Sequence, residues 1–170
     1  MRREIGKEGT MLLSRMYARQ INDRYINSYF YHGDGDCPLL FKNSPIARFA
    51  MSYKEVGKDI LLPKVLDEMP YIQFFCEREG KNSRKFKLKT AKQVISAYES
   101  IKKYGYCKKP FSIRDAIHVK KGFYSATYGD DSEGYTFVRR NHRAASCIAL
   151  GYDKVPCLFY KEKGRRLWRM

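Results

Sequence analysis

From Thr90 to Gly105, apolar residues return every three or four positions, at Ala91, Val94, Ile95, Tyr98 and Ile101. At helical pitch these side chains fall on one side of a cylinder, and such a stripe is stable only if something apolar covers it. Thr90 and Gln93 have the T-x-x-Q spacing of a capping box, and Gly105 supplies a stop, so the spacing predicts a helix over 90–104. The fold must build a core around that stripe. With 170 residues, 44% of them hydrophobic, the chain has material for one such core and little more.

Upstream, Ser44-Pro45 reads as a helix start, with serine able to accept from the first free amides and proline placed where no amide is missed. Ile46, Phe49, Ala50 and Tyr53 then share a face until Gly57. Leu12, Leu13, Met16, Ala18, Ile21, Tyr25, Ile26 and Tyr29 suggest a further helix over 11–31, after ten frayed residues. Gly33-Asp34-Gly35-Asp36 would end it as a turn; a calcium-loop reading lacks the ligand ladder of an EF-hand. Leu61 to Cys76 is apolar and aromatic, broken by Pro63 and Pro70, which gives a short helix and then a strand around Tyr71 to Cys76.

After Gly105 the pattern shortens. Phe111-Ser112-Ile113, Ile117-His118-Val119, Phe123 to Thr127 and Tyr135 to Val138 are β-favouring runs separated by turns. Asn141 or His142 should open a helix with the small apolar face Ala144, Ala145, Ile148 and Ala149, closed by Gly151 before a strand from Val155 to Tyr160. The basic tail from Lys161 to Met170, with Trp168, reads as a surface arm.

Thirty-four Lys and Arg against eighteen Asp and Glu give +16, spread from Arg2 to Arg169, which points to a polyanionic partner. Charge does not separate nucleic acid from nucleotide or sugar phosphate. Cys37, Cys76, Cys107, Cys147 and Cys157 are odd in number and never form C-x-x-C, so neither a zinc ribbon nor a disulfide scaffold is indicated and a reducing, cytoplasmic setting is expected. No long uncharged apolar run suggests a membrane span or an export signal.

The chemistry concentrates in Arg139-Arg140-Asn141-His142-Arg143-Ala144-Ala145. A strand that hands over to a helix at this point would aim helix-start amides, with their partial positive charge, at an anion. Ala144 and Ala145 are small enough to let a phosphate approach, and Arg139, Arg140 and Arg143 can grip its oxygens with planar forks. His142 can donate to a phosphate or move a proton. The competing reading is a solvated basic turn with His142 as a cap.

Ser100-Ile101-Lys102-Lys103-Tyr104-Gly105-Tyr106-Cys107-Lys108-Lys109-Pro110-Phe111-Ser112-Ile113, then the Arg139 to Ala145 segment, then Ala149-Leu150-Gly151-Tyr152-Asp153-Lys154-Val155-Pro156 form an ordered set. Together they resemble the ParB/sulfiredoxin-like superfamily over roughly residues 88 to 160. The resemblance implies an α+β fold, a small mixed sheet with packed helices. It divides the chain into a helical N-terminal extension (1–87) packed on the core, a nucleotide-binding core (88–160) and a basic tail (161–170). It further implies a triphosphate cradle at Arg139 to Ala145 for ATP or CTP with Mg²⁺, serving hydrolysis or phosphoryl transfer. Arg139-Arg140 stand where that pattern has Asp-Gly or Gly-Gly, and Asn141 stands where a sulfiredoxin has its reactive cysteine, which argues against sulfinic-acid reduction.

For phosphoryl transfer, His142 and Asp131 are the candidate catalytic residues, and Asp130 and Glu133 the candidate metal ligands. An ordinary acidic hairpin tip is the alternative for Asp130, Asp131 and Glu133. A second basic stretch, Arg78 to Lys92, contains Arg84, Lys85, Lys87 and Lys89 around Phe86 and could track a nucleic-acid backbone, or be a solvated loop. Three functions stay open: a nucleotide-binding NTPase or kinase-like phosphotransferase, a non-catalytic DNA- or RNA-binding module, and a ParB-like nuclease.

Overall fold

The protein is described by a computed structural model covering residues 5–12, 16–17, 41–106, 117–122 and 134–160. The Ser44-Pro45 start is realised. Helix α1 spans Pro45–Val56, the Ala47 amide donates to Ser44 Oγ at 3.4 Å, and the Ser44 hydroxyl donates to Phe41 O at 2.5 Å. Ser44 is fully buried, so its two hydrogen bonds tie the preceding 3-10 turn, Phe41–Asn43, to the helix. Ile46, Phe49, Ala50 and Tyr53 are all buried, as their common face requires.

A second 3-10 turn, Gly57–Leu61, leads into α2 (Pro63–Glu68) and α3 (Pro70–Glu79). The strand expected around Tyr71 to Cys76 is therefore corrected to helix. Pro63 and Pro70 each sit in the first helical turn, where the missing amide costs nothing, so they start helices instead of interrupting a strand. Tyr71, Ile72 and Phe74 are buried, and Tyr71 packs against Phe49 and Phe75 with ring centroids 5.4 and 5.1 Å away.

Helix α4 runs from Arg84 to Tyr104, two turns longer at its start than the apolar stripe suggested. Its cap is Ser83, whose hydroxyl accepts from the Phe86 amide at 3.3 Å. The Thr90–Gln93 capping box is corrected accordingly: Thr90 lies inside the helix and donates back to Phe86 O at 3.0 Å. The predicted stop at Gly105 is present, in a positive-φ conformation that glycine adopts freely. The expected division between residues 87 and 88 falls inside this continuous helix.

Helix α5, Asn141–Ala149, packs against α1 and α4 and buries Ala144, Ala145, Ser146, Cys147 and Ala149. The small side chains matter here for a different reason than phosphate access: they let α5 lie close to two neighbours at once. The Ser146 hydroxyl, fully buried, donates to His142 O at 2.7 Å and so costs little to bury.

The expected fold class, a small mixed sheet with packed helices, is corrected. Across residues 41–106 and 140–157, together with Ile117, 78% are helical, with one short strand and no sheet among them. Outside that part, backbone pairing extends to β1 (Ile5–Leu12), β2 (Met16–Tyr17), β3 (Ile117–Gly122), β4 (Gly134–Arg139) and β5 (Lys154–Tyr160), in the order β1-β5-β3-β4-β2 among the described residues. Among the residues whose burial is described, the core side chains come mostly from helices and their turns, whose stripes face one another, and are joined by Ile117, Val155 and Cys157. Tyr106 links β3 to β5: its hydroxyl donates to Pro156 O at 3.1 Å and accepts from the Ile117 amide at 2.9 Å.

The segment expected to be frayed at the N-terminus contains β1, paired antiparallel with β5 from Ile5↔Tyr160 to Leu12↔Lys154. Met16–Tyr17, expected as helix, is extended and pairs with β4. The rest of the expected 11–31 helix beyond Tyr17, the Gly33–Asp36 turn, the runs at 111–113 and 123–127, the acidic group Asp130, Asp131 and Glu133, and the tail lie outside the described residues.

Candidate functional site

The first candidate is the turn between β4 and α5. The strand does hand over directly to the helix there: β4 ends at Arg139, Arg140 is the cap, and α5 begins at Asn141. Arg140 carries φ 70° and ψ 39°, the left-handed conformation, and is the one non-glycine residue with positive φ among the described residues. That backbone costs an L-residue on the order of 1 kcal/mol, and a glycine would adopt it without penalty. The side chain of Arg140 is exposed, while Asn141, His142 and Arg143 are half-buried.

The helix start is less open than the sequence suggested. The Arg143 and Ala144 amides donate to Arg140 O at 3.1 and 3.2 Å, and the His142 amide donates to Asn141 Oδ1 at 3.0 Å. Ala144 and Ala145 have no exposed surface. The expectation that these alanines let a phosphate reach the backbone is thus corrected: they face α1 and α4, because a helix carrying its small residues on one side packs that side inward. A triphosphate lying over Ala144 and Ala145 does not fit these residues as placed. At the outer rim of this turn the Arg140 side chain is exposed.

His142 points inward. Its Nε2 is hydrogen-bonded to Tyr71 Oη at 3.1 Å, and Tyr71 is 2% exposed. Burial, and secondarily the Arg140 charge, hold the imidazole below its ordinary value of 6.5, so it is neutral at pH 7. Burial likewise pushes the Tyr71 phenol well above its usual range. A neutral histidine locked to a buried tyrosine serves as a tether between α3 and α5, which is a different task from the proton transfer expected of His142.

The second candidate is α4. Arg84, Lys85, Lys87, Lys89, Lys92, Lys102 and Lys103 stand against one acid, Glu99, along its length. Helical geometry sorts the four expected nucleic-acid contacts into two groups. Lys87 shares its spacing with the buried Ala91, Val94 and Tyr98, and its ammonium reaches Asp67 Oδ1 at 2.8 Å. Arg84 donates to Leu61 O at 3.2 Å. Both are occupied with the preceding helices. Lys85 and Lys89 lie on the exposed face, together with Lys92, Gln93 and Ser96.

With half-buried Leu88 at its edge, this outward face of α4 is formed by residues of that helix alone. Lys92 closes the expected basic stretch, whereas Leu88, Gln93 and Ser96 were not among the expected contacts; 85, 88, 89, 92 and 96 follow the helical period, but that signal is hidden while the residues before Thr90 are read as a loop. A concavity of about 450 Å³ lies where α2, α3 and α4 meet and is lined by both signs of charge, including Asp67, Glu77, Lys81 and Lys87.

No family model, curated protein or solved structure matches the chain. The ParB/sulfiredoxin resemblance therefore rests on its motifs alone. Among the described residues no cluster of three or more metal-binding side chains occurs, and no helix is long and apolar enough to cross a membrane.

Proposed function

We propose that the protein binds the phosphate backbone of nucleic acid through the exposed face of α4, without catalysing a reaction there. The observation that carries this reading is the alignment of the exposed Lys85, Lys89 and Lys92 on one face of a 21-residue helix, in a chain of net charge +16. Lys85 and Lys92 are about 10 Å apart along the axis, so the three ammonium groups meet neighbouring phosphates of one strand instead of a single anion. Each lysine that neutralises a phosphate releases a condensed counterion, which makes affinity depend steeply on salt.

The test is fluorescence anisotropy with a labelled oligonucleotide over a series of salt concentrations. Replacing Lys85, Lys89 and Lys92 together by alanine should weaken binding and reduce the slope of log K against log salt by about 2–3. An unchanged slope, or a wild-type protein that does not bind, refutes the reading.

A second reading, a nucleotide phosphate held by Arg140, Asn141 and Arg143, is favoured by the direct strand-to-helix handover and the exposed guanidinium of Arg140. Calorimetric titration with ATP and CTP in the presence of Mg²⁺ tests it, repeated on Arg140→Ala. Binding lost in the variant supports it, and no heat from the wild type ends it.

A further inference from the structure

We infer that the polyanion bound on α4 is a duplex, held through its phosphates and without sequence preference; this rests on the backbone-binding reading above. What the exposed row offers is charge. No acidic residue stands three or four positions from Lys85, Lys89 or Lys92, so their neighbours along the helix are lysines and neutral residues. Like charges at this spacing repel, and α4 has no acid in its first turn, where a helix favours one. A line of phosphates laid along the row removes that repulsion.

What the row lacks decides between the two forms of nucleic acid. Proteins that hold a single strand combine a charged groove with aromatic rings on which the bases stack. This outward face is built by one helix alone and forms no groove. The aromatic residues of α4 are placed elsewhere. Tyr98 is buried, with its ring 5.2 Å from that of Tyr53. Phe86 is half-buried, and Lys81 Nζ lies 5.8 Å from its ring centroid. Tyr104 stands at the far end of the helix, about 18 Å from Lys92 along the axis, with Lys103 Nζ 4.9 Å from its ring centroid.

Charge density then sets the preference. A duplex carries one negative charge per about 1.7 Å of its axis and gives a salt slope of about 0.9 per neutralised phosphate, against about 0.7 for a single strand. For three lysines the difference is about 0.6 in the slope of log K against log salt, or about fourfold in affinity at about 0.1 M salt. Contacts to phosphates carry no sequence information, so unrelated duplexes bind alike. Arg84 and Lys87 are turned toward Leu61 and Asp67, which leaves the row Lys85, Lys89, Lys92 as the path of the backbone, with Ser96 next in line.

The experiment measures fluorescence anisotropy of three labelled DNA probes of equal length with the full chain over a series of salt concentrations. They are an unstructured single strand, its duplex, and a second duplex of unrelated sequence. The expected result at about 0.1 M salt is a duplex bound about fourfold more tightly than the single strand, and two duplexes that agree within about twofold. Ser96→Lys, an exposed change one turn beyond Lys92, adds a fourth cation to the row. It should steepen the duplex slope by about 0.9, which is about eightfold in affinity at the same salt. A single strand bound as tightly as the duplex, one duplex preferred over the other by more than about tenfold, or an unchanged slope in Ser96→Lys overturns the inference. Backbone binding stands in those cases if the slope still falls when Lys85, Lys89 and Lys92 are replaced together by alanine. Failure of all three probes to bind overturns both.

Discussion

Removing one hydroxyl, by Tyr71→Phe, tests whether α5 is held to the helical core through His142. The substitution preserves the ring, and with it the contacts to Phe49 and Phe75 at 5.4 and 5.1 Å. It deletes only the 3.1 Å hydrogen bond to His142 Nε2. A buried polar atom stripped of its partner costs about 1–2 kcal/mol, and a chain of this size shifts its melting temperature by about 2–4 °C per kcal/mol. The expected fall is therefore about 2–8 °C, read by thermal or urea denaturation at pH 7.5. Acidity gives a second readout. Because His142 titrates below 6.5 in the folded chain, the unfolded chain binds the proton more readily. The stability is thus full above 6.5 and declines as pH falls through 6.5 toward the folded value, by at most about 1.4 kcal/mol per pH unit. His142→Gln should remove that part of the acid sensitivity. A Tyr71→Phe protein as stable as wild type, or acid sensitivity unchanged in His142→Gln, would refute the tether.

Arg140→Gly relieves the left-handed backbone at the β4–α5 turn, and after the added entropy of the unfolded chain it should stabilise the fold by about 0.5 kcal/mol or leave it unchanged; a clear loss in urea denaturation would show that the Arg140 side chain carries stabilising contacts. Ser44→Ala removes a fully buried cap that both accepts from Ala47 and donates to Phe41, and should cost about 1–2 kcal/mol in the same assay. Lys87→Ala should leave oligonucleotide affinity nearly unchanged in anisotropy, because Lys87 is bonded to Asp67, whereas Lys89→Ala should weaken it and flatten the salt dependence by about one unit. Ala144→Leu should destabilise by about 1–3 kcal/mol through overpacking between α5 and its neighbours; a neutral result would mean that α5 is not packed as described.

Local signals were legible wherever they depended on near neighbours in the chain. Ser44-Pro45 opens α1, Gly57 and Gly105 close helices, and the Val155 strand follows Gly151, since caps and turns involve residues within one turn of each other. The same local chemistry misled where two partners competed. Thr90 looks like a cap because its hydroxyl suits one, but Ser83 lies seven residues earlier and the intervening basic residues tolerate helix as well as loop. Tyr71 to Cys76 looks like a strand because it is aromatic, while Pro70 in the first turn and the covering helices decide for α3.

What the amino-acid order determined by itself is the start of α1 at Ser44-Pro45, the helix stops at Gly57 and Gly105, the excess of positive charge, and the strand-to-helix handover at Arg139 to Asn141. Which face each helix shows was decided in three dimensions. Ala144 and Ala145 could have flanked a phosphate or filled a core, and only the presence of α1 and α4 beside them makes them core. Lysine has the same charge wherever it stands in the sequence; Asp67 engages Lys87, and solvent is left to Lys85, Lys89 and Lys92. Burial and pairing depend on residues distant in the chain, and periodicity along one helix does not specify what will lie across from it.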